Sequence, residues 1–392
     1  MKIGIEAHNL EGKRTGVGRY LINLLKQWDK FNLPSDLKFI LYFKKEIPDD
    51  LELPDSIFVR KLLKAPFGLR SHALFMHYLL PKAAKKDKVD ILFCPGYIAP
   101  FFYQGKIALT LHDIIYQARP ELYNWPSFWD KILLKEFSRI SARKAKIIFT
   151  PSEFSKKEVL KHYRVNPKKV FVTLEAADSC FRQITDQNKL EEFKKKYQIK
   201  DKFIFYIGSI FNRRHLPETI KAFENLRKAT PDESCLSKLT DYQFLIIGTN
   251  HTSPFIDIDD LIKGVNQRLC RPAILRQDYL KGQDLIALYN AADLLIWLSD
   301  YEGFGLPILE AMACGTPVIT APFTSIPEVA GDSAIYIQDS KNIQEISQSI
   351  YQGLTDKNLR QKLISQGLAQ AKKFSWSRCA RQTLQALYKD SS

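Results

Sequence analysis

Two glutamates near residue 300 stand out for their setting. The run S-D-Y-E-G-F-G-L-P-I-L-E-A-M-A-C-G-T-P-V-I-T sets Glu302 among glycines and Glu310 eight residues further on. From Leu306 to Thr320, Glu310 is the only charged side chain. An ionised carboxylate in an apolar run costs several kcal/mol to bury unless something hydrogen-bonds to it. Gly303 and Gly305 permit a tight loop that approaches a ligand, Pro307 fits the first turn of a helix, and Gly315 fits its stop. The amides at such a helix start suit a phosphate, and a carboxylate one turn in could accept hydrogen bonds from a sugar hydroxyl. The competing reading is a first-turn glutamate favoured by the helix dipole, worth only ~0.3–1 kcal/mol.

The other candidates share one kind of position. His112-Asp113 follow I-A-L-T-L, Gly208-Ser209 follow F-I-F-Y-I, Gly248 follows F-L-I-I, and Glu302 comes shortly after L-L-I-W-L. These apolar runs read as strands. A first series is expected at residues 2–7, 38–43, 91–94, 107–111, 146–150 and 170–174. A second is expected at 203–207, 244–247, 273–275, 294–298, 317–320 and 334–337. Helical patterns lie between them at 20–28, 130–143, 218–227 and 284–292, and a charged helical segment at 187–200 separates the two series. Alternation of this kind implies α/β architecture with two doubly wound parallel sheets in tandem. Ligands of such sheets bind outside the carboxyl ends of the strands, where the candidates fall.

With 392 residues, 45% of them hydrophobic and 26% charged, the chain has material for two or three domains with full cores. No apolar stretch reaches the ~18 residues that span a bilayer, and M-K-I-G-I-E-A-H turns polar too early for a signal peptide. Six cysteines (94, 180, 235, 270, 314 and 379) lack metal-like or paired spacing, which suits reduced thiols in a cytoplasm. The charge is lopsided: residues 1–200 carry 37 Lys+Arg against 22 Asp+Glu, and residues 201–392 carry 21 against 21. The basic half suits an anionic partner, or is a solvated lysine-rich surface kept for solubility.

The stretch E-G-F-G-L-P-I-L-E-A-M-A-C-G-T-P-V resembles the signature of retaining, nucleotide-sugar-dependent glycosyltransferases of the GT-B fold, family 4, and the likeness spans nearly the whole chain. T-G-V-G-R-Y (15–20) is similar to the family's glycine loop, L-H-D (111–113) to its histidine strand end, and T-P-S-E-F-S (150–155) to the close of its first sheet. Y-I-G-S-I-F-N-R-R (206–214) opens the second domain as the family does, and F-S-W (374–376) precedes the final helix. The resemblance implies two Rossmann-like domains facing each other across a cleft. Residues 1–185 would form the acceptor domain and 186–374 the nucleotide-sugar domain, with the last helix, 375–392, crossing back to the first.

The resemblance also implies roles. Glu302, in the loop Gly303–Phe304–Gly305–Leu306, would contact donor-sugar hydroxyls, and Glu310 the ribose. Arg214 and Arg213 would neutralise the departing diphosphate, where charge develops in the transition state. His112 would lie near the anomeric centre. Gly16, Gly18 and Gly208 would let backbone approach the donor or acceptor, and Tyr279 and Leu280 would lie near the base. The chain departs from the family at Ser209, where arginine is frequent, at Arg214, where lysine is common, and at Asp278, where glycine is frequent.

The stretch D-I-D-D (257–260) resembles the metal-binding D-x-D of unrelated glycosyltransferases, but aspartates are also common at helix starts. No metal or other cofactor is expected. T-G-V-G-R-Y, L-H-D-I and S-E-F-S together most resemble bacterial polysaccharide mannosyltransferases. GDP-mannose is therefore the first expected donor, ahead of UDP-glucose, with a glycan or lipid-linked acceptor. Competing readings are a scaffold of this fold without turnover and a nucleic-acid-binding protein. Glu302, Glu310, Arg214 and His112 together speak against the first, and no nucleic-acid partner is expected. The chain is expected in the cytoplasm, with peripheral contact to the anionic inner face of the cytoplasmic membrane through residues 67–88, an aromatic and leucine-rich segment ending in lysines.

Overall fold

A computed structural model describes every residue except 15, 65–70, 126, 201, 229–238, 240, 281 and 390–392. The chain divides into two compact units, Met1–Glu175 with Ser375–Ser392, and Ala176–Phe374. The division falls upstream of the expected residue 185, and local bonding explains why. Ile184 N donates to Asn290 Oδ1 at 2.8 Å, Asn290 Nδ2 donates to Arg182 O at 3.0 Å, and Phe181 packs edge-on to Tyr289. Residues 176–185 are thereby tied to the second unit.

The described strands of the first unit are β1 (Lys2–Glu6), β2 (Lys38–Phe43), β3 (Phe58–Leu62), β4 (Ile91–Cys94), β5 (Lys106–Thr110), β6 (Ile147–Thr150) and β7 (Val170–Val172). They form one sheet in the order β3-β2-β1-β4-β5-β6-β7, parallel at every pairing. The second unit holds β8 (Phe203–Ile207), β9 (Gln243–Ile247), β10 (Ile274–Gln277), β11 (Leu294–Trp297), β12 (Val318–Thr320) and β13 (Ile335–Tyr336). Their order is β10-β9-β8-β11-β12-β13, again all parallel. Both are doubly wound sheets, the architecture that the alternation predicts. β3 alone carries no such signal. It is an edge strand, buried only at Phe58, and its interleaved Arg60 and Lys61 break the apolar run.

The segment at 187–200 is a helix over Gln187–Lys196 and belongs to the second unit. The last helix, Trp376–Lys389, belongs to the first. Trp28, on the helix Gly16–Asp29, donates from Nε1 to Ala380 O at 2.9 Å, and its ring stacks on Phe39, which stacks on Phe58. Burying each of these large aromatic side chains contributes roughly 1.5–3 kcal/mol relative to exposure. One stack thus fixes the last helix, the first helix and the sheet edge to one another. The five described cysteines are free, with Cys94, Cys314 and Cys379 buried.

Candidate active site

In the second unit the candidate residues gather where β8 and β11 end. Gly208 follows β8 with φ of +117°, and a Cβ there would meet the Trp297 ring at 2.9 Å and Arg214 Nη1 at 3.0 Å. A Cβ on Gly248, after β9, would fall 2.0 Å from Gly208 O. The two loops therefore pack backbone to backbone, which only glycine allows. Arg214 sits on the short 3-10 turn Asn212–Arg214, closed by His215 in the left-handed region. The His215 ring reaches Asp300 Oδ1 at 2.8 Å, and Asp300 N donates to Arg213 O at 3.0 Å, so the turn is fastened to the loop after β11.

Arg214 and Glu302 form the centre of this group. Arg214 donates from Nε to Glu302 Oε1 at 3.0 Å, its Nη2 lies 3.0 Å from the same oxygen, and Nη1 donates to Ser209 O at 2.7 Å. The guanidinium lies over the Trp297 ring, 4.3 Å from its centroid. Burial alone would weaken its charge, but Glu302 and then Tyr206 outweigh it and hold its pKa above the ordinary value. Ser299 Oγ donates to Glu302 Oε1 at 2.9 Å, Thr324 Oγ1 accepts from Glu302 N, and Ser325 Oγ donates to the carbonyls of Glu302 and Phe304. Every one of these bonds to the carboxylate uses Oε1; Oε2 has no partner among the described residues. The result is a fixed cation beside a carboxylate with one oxygen free, a donor–acceptor pair suited to an anion and a hydroxyl.

The helix that the glycines and proline predict runs over Leu306–Cys314, entered through Gly305 (φ +112°) and left through Gly315 (φ +79°). Phe304, buried, packs edge-on to Phe374. Glu310 lies one turn in and is 1% exposed. Its Oε2 accepts from the Tyr289 hydroxyl at 2.6 Å. Tyr289, on the helix Gly282–Ala291, is itself buried between Phe181 and Phe205. The sequence offers no sign of this partner, which lies 21 residues upstream on another helix. Burial, and then the charge of Glu310, pushes the Cys314 thiol up to about 12, leaving it unreactive. Of the residues expected near a base, Tyr279 is half exposed and Leu280 is buried.

In the first unit a second group forms at the ends of β4 and β5. His112 Nδ1 lies 2.9 Å from Glu175 Oε1, and Nε2 lies 3.1 Å from Pro95 O. Acceptors on both ring nitrogens favour the doubly protonated ring. Burial pulls the His112 pKa down, but the Glu175 bond and charge, with Pro95 O and Asp113, more than offset it and raise it above 6.5. Tyr20, the last residue of T-G-V-G-R-Y, meets the ring edge-on at 4.7 Å, so the glycine loop and the histidine strand end do come together. Gly18 is required there: a Cβ would fall 2.3 Å from Asn9 O. Gly16, at the start of the same helix, has open space around it. Glu175, partner of His112, carries no local motif and is visible only in the fold.

D-I-D-D is otherwise employed. Asp257 caps the helix Ile258–Arg268, accepting from Asp260 N at 3.0 Å, and Asp259 takes a two-pronged contact from Arg276 at 2.8 Å. The apolar part of the segment at 67–88 is also otherwise employed. Residues 67–70 lie outside the described ones, while Phe75, Met76 and Leu80 are core, and of the large apolar side chains described there only Tyr78 is exposed. That stretch is a core helix with solvated lysines, not an apolar surface.

Two family models match the chain. Glycosyltransferase Family 4 covers residues 14–175, and Glycosyl transferases group 1 covers residues 188–370. The O-antigen chain mannosyltransferase B of Escherichia coli is 30% identical over 98% of this chain and 99% of its own. The serotype-specific mannosyltransferase WbdA, also of Escherichia coli, is 28% identical over 70% of this chain but only 32% of that longer protein. Among solved structures, Anabaena Alr3699/HepE in complex with UDP-glucose superposes over 99% of this chain and 100% of its own, with a TM-score of 0.73 at 17% identity. Two doubly wound sheets, the ordered series of strand-end motifs and these matches lead to one assignment: the chain belongs to glycosyltransferase family 4, the group 1 glycosyltransferases of GT-B fold.

Proposed function

We propose that this hexosyltransferase moves mannose from GDP-mannose to a hydroxyl of a glycan or lipid-linked acceptor in the assembly of a cell-surface polysaccharide, with retention of configuration. The observation that carries this reading is the Arg214–Glu302 pair at the strand ends of the second unit, fixed by Ser209 O, Ser299 and the Trp297 ring. The guanidinium, already oriented, would stabilise charge growing on the leaving diphosphate without reorganising. Glu302 Oε2 would accept from a donor-sugar hydroxyl, fixing the reacting carbon. Glu310 would hold the ribose, and His112 would act on the transferred sugar. With Arg214, Arg213 and the start of the helix Leu306–Cys314 for the diphosphate, no metal is required. A leaving-phosphate oxygen would take the acceptor proton as the new bond forms on the face the phosphate leaves. Likeness to the Escherichia coli mannosyltransferases supports mannose.

A UDP-hexose donor is the second reading, supported by the UDP-glucose complex of the Anabaena neighbour. A donor panel in excess EDTA separates the two. Turnover of GDP-mannose to an α-linked product, read by NMR of the anomeric proton, is expected. Preference for UDP-glucose would replace the donor; loss in EDTA with rescue by Mn²⁺ would remove the metal-free mechanism.

A further inference from the structure

Three neighbouring strand ends of the second sheet are tied into a row. β10, β9 and β8 lie side by side in that order. At one end of the row stands Arg214, whose Nη1 would meet a Cβ on Gly208 at 3.0 Å. Gly208 O packs against Gly248, after β9, and Gly248 O accepts from Arg276 Nη2 at 2.9 Å. The same Nη2 donates to Asp278 Oδ1 at 2.6 Å. Arg276 belongs to β10, and Asp278 is the first residue beyond that strand. The Asp278 carboxylate therefore leans toward the end of β9, on the row that leads to Arg214. With strands ~4.8 Å apart, the ends of β8 and β10 are separated by about 10 Å. That span is comparable to the reach of a nucleoside from its diphosphate.

Arg276 does not need Asp278 to hold it. Asp259 takes its Nη1 with both oxygens at 2.8 Å, and Gly248 O takes Nη2. The dependence runs the other way: a guanidinium fixed by other groups sets the place of an exposed carboxylate. The Arg276 side chain is 15% exposed and that of Asp278 is 70% exposed. Asp278 Oδ2 has no partner among the described residues. Glycine is frequent at this position in the family, so the carboxylate is an addition of this chain rather than a requirement of the fold.

We propose that Asp278 reads the base of the donor nucleotide and selects guanine. The proposal rests on the proposed function in bringing the donor's diphosphate to Arg214. Stacking on an aromatic ring, which the half-exposed Tyr279 next in the chain can supply, favours every base alike. The choice of base needs a contact to its edge. Guanine presents two adjacent donors, N1–H and the 2-amino group, and a carboxylate has the lone pairs to accept from both while Oδ1 keeps its bond to Arg276. Uracil presents one donor between two carbonyls, and adenine an acceptor beside a donor, so a carboxylate meets a repelling oxygen or nitrogen on either.

Equilibrium binding of nucleoside diphosphates to the full chain tests this without turnover. The wild type should hold GDP roughly 10–100-fold tighter than UDP, and tighter than inosine diphosphate, which lacks the 2-amino group. Asp278→Gly should bring GDP close to UDP, with the affinity for UDP and the melting temperature unchanged. Asp278→Asn should turn the preference toward xanthosine diphosphate, whose 2-carbonyl accepts from the new amide while the amide oxygen accepts from N1–H. A carboxylate that served only to brace Arg276 would not produce that gain. A wild type that prefers UDP would remove GDP-mannose as the donor, and this proposal with it. A preference for GDP that survives in Asp278→Gly, or no gain of xanthosine diphosphate in Asp278→Asn, would overturn the proposal and leave the donor assignment standing.

Discussion

His112 in the first unit and Arg214 in the second are held by the same device. Each is a basic group near the end of a parallel strand, bonded on one side to a buried or half-buried carboxylate, Glu175 or Glu302, and on the other to a backbone carbonyl, Pro95 O or Ser209 O. Each rests against an aromatic ring, Tyr20 or Trp297. The difference lies in the proton. An arginine in this setting keeps its charge at any working pH, while a histidine keeps it only while its partners hold the pKa up. One unit thus carries a permanent charge site and the other a conditional one.

The sharpest way to break the comparison is to remove the permanent site. Arg214→Ala and Glu302→Gln should each lower kcat by roughly 10²–10³, the scale for losing one preorganised electrostatic contact, with circular dichroism unchanged. Full activity in either variant would remove that residue from the reaction.

A smaller effect is expected at the buried carboxylate of the same unit. Tyr289→Phe strips Glu310 of a charged hydrogen bond and should cost about 1.5–3 kcal/mol in urea unfolding. If Glu310 also holds the ribose, KM for the donor rises in this variant more than kcat falls. An unchanged KM would leave Glu310 a structural residue.

The conditional site predicts a pH dependence. His112 has its pKa raised above 6.5 in the folded chain. Its contribution to stability is therefore complete below 6.5 and is lost as pH rises through the raised value. Thermal melts across that range should show this decline in the wild type and a flatter profile in His112→Gln. Parallel profiles would mean that the Glu175 contact does not bind the extra proton.

What the sequence discloses and what it withholds divide along physical lines. Strand alternation, the glycine-framed helix at 306–314 and the placement of His112 and Glu302 at strand ends are local patterns, and the structure bears them out. Partnerships across the fold are not local: Glu175 lies 63 residues from His112, and Tyr289 reaches Glu310 from a different helix. The edge strand β3 escapes notice because an edge need not be apolar throughout. The helical pattern at 130–143 is borne out as the helix Phe128–Lys144, but the pattern alone does not say which side is buried: Ser138, Ser141 and Ala142 are, and Trp129, Ile132, Leu133 and Ile140 are exposed.

The central claim is that Arg214 and Glu302 act as one unit on the donor, and a double-mutant cycle on kcat tests it most directly. Acting together, the Arg214→Ala/Glu302→Gln enzyme should be about as slow as the slower single variant, because either change dismantles the same constellation. Losses that multiply across the two substitutions would contradict it, since residues working independently give additive free energies.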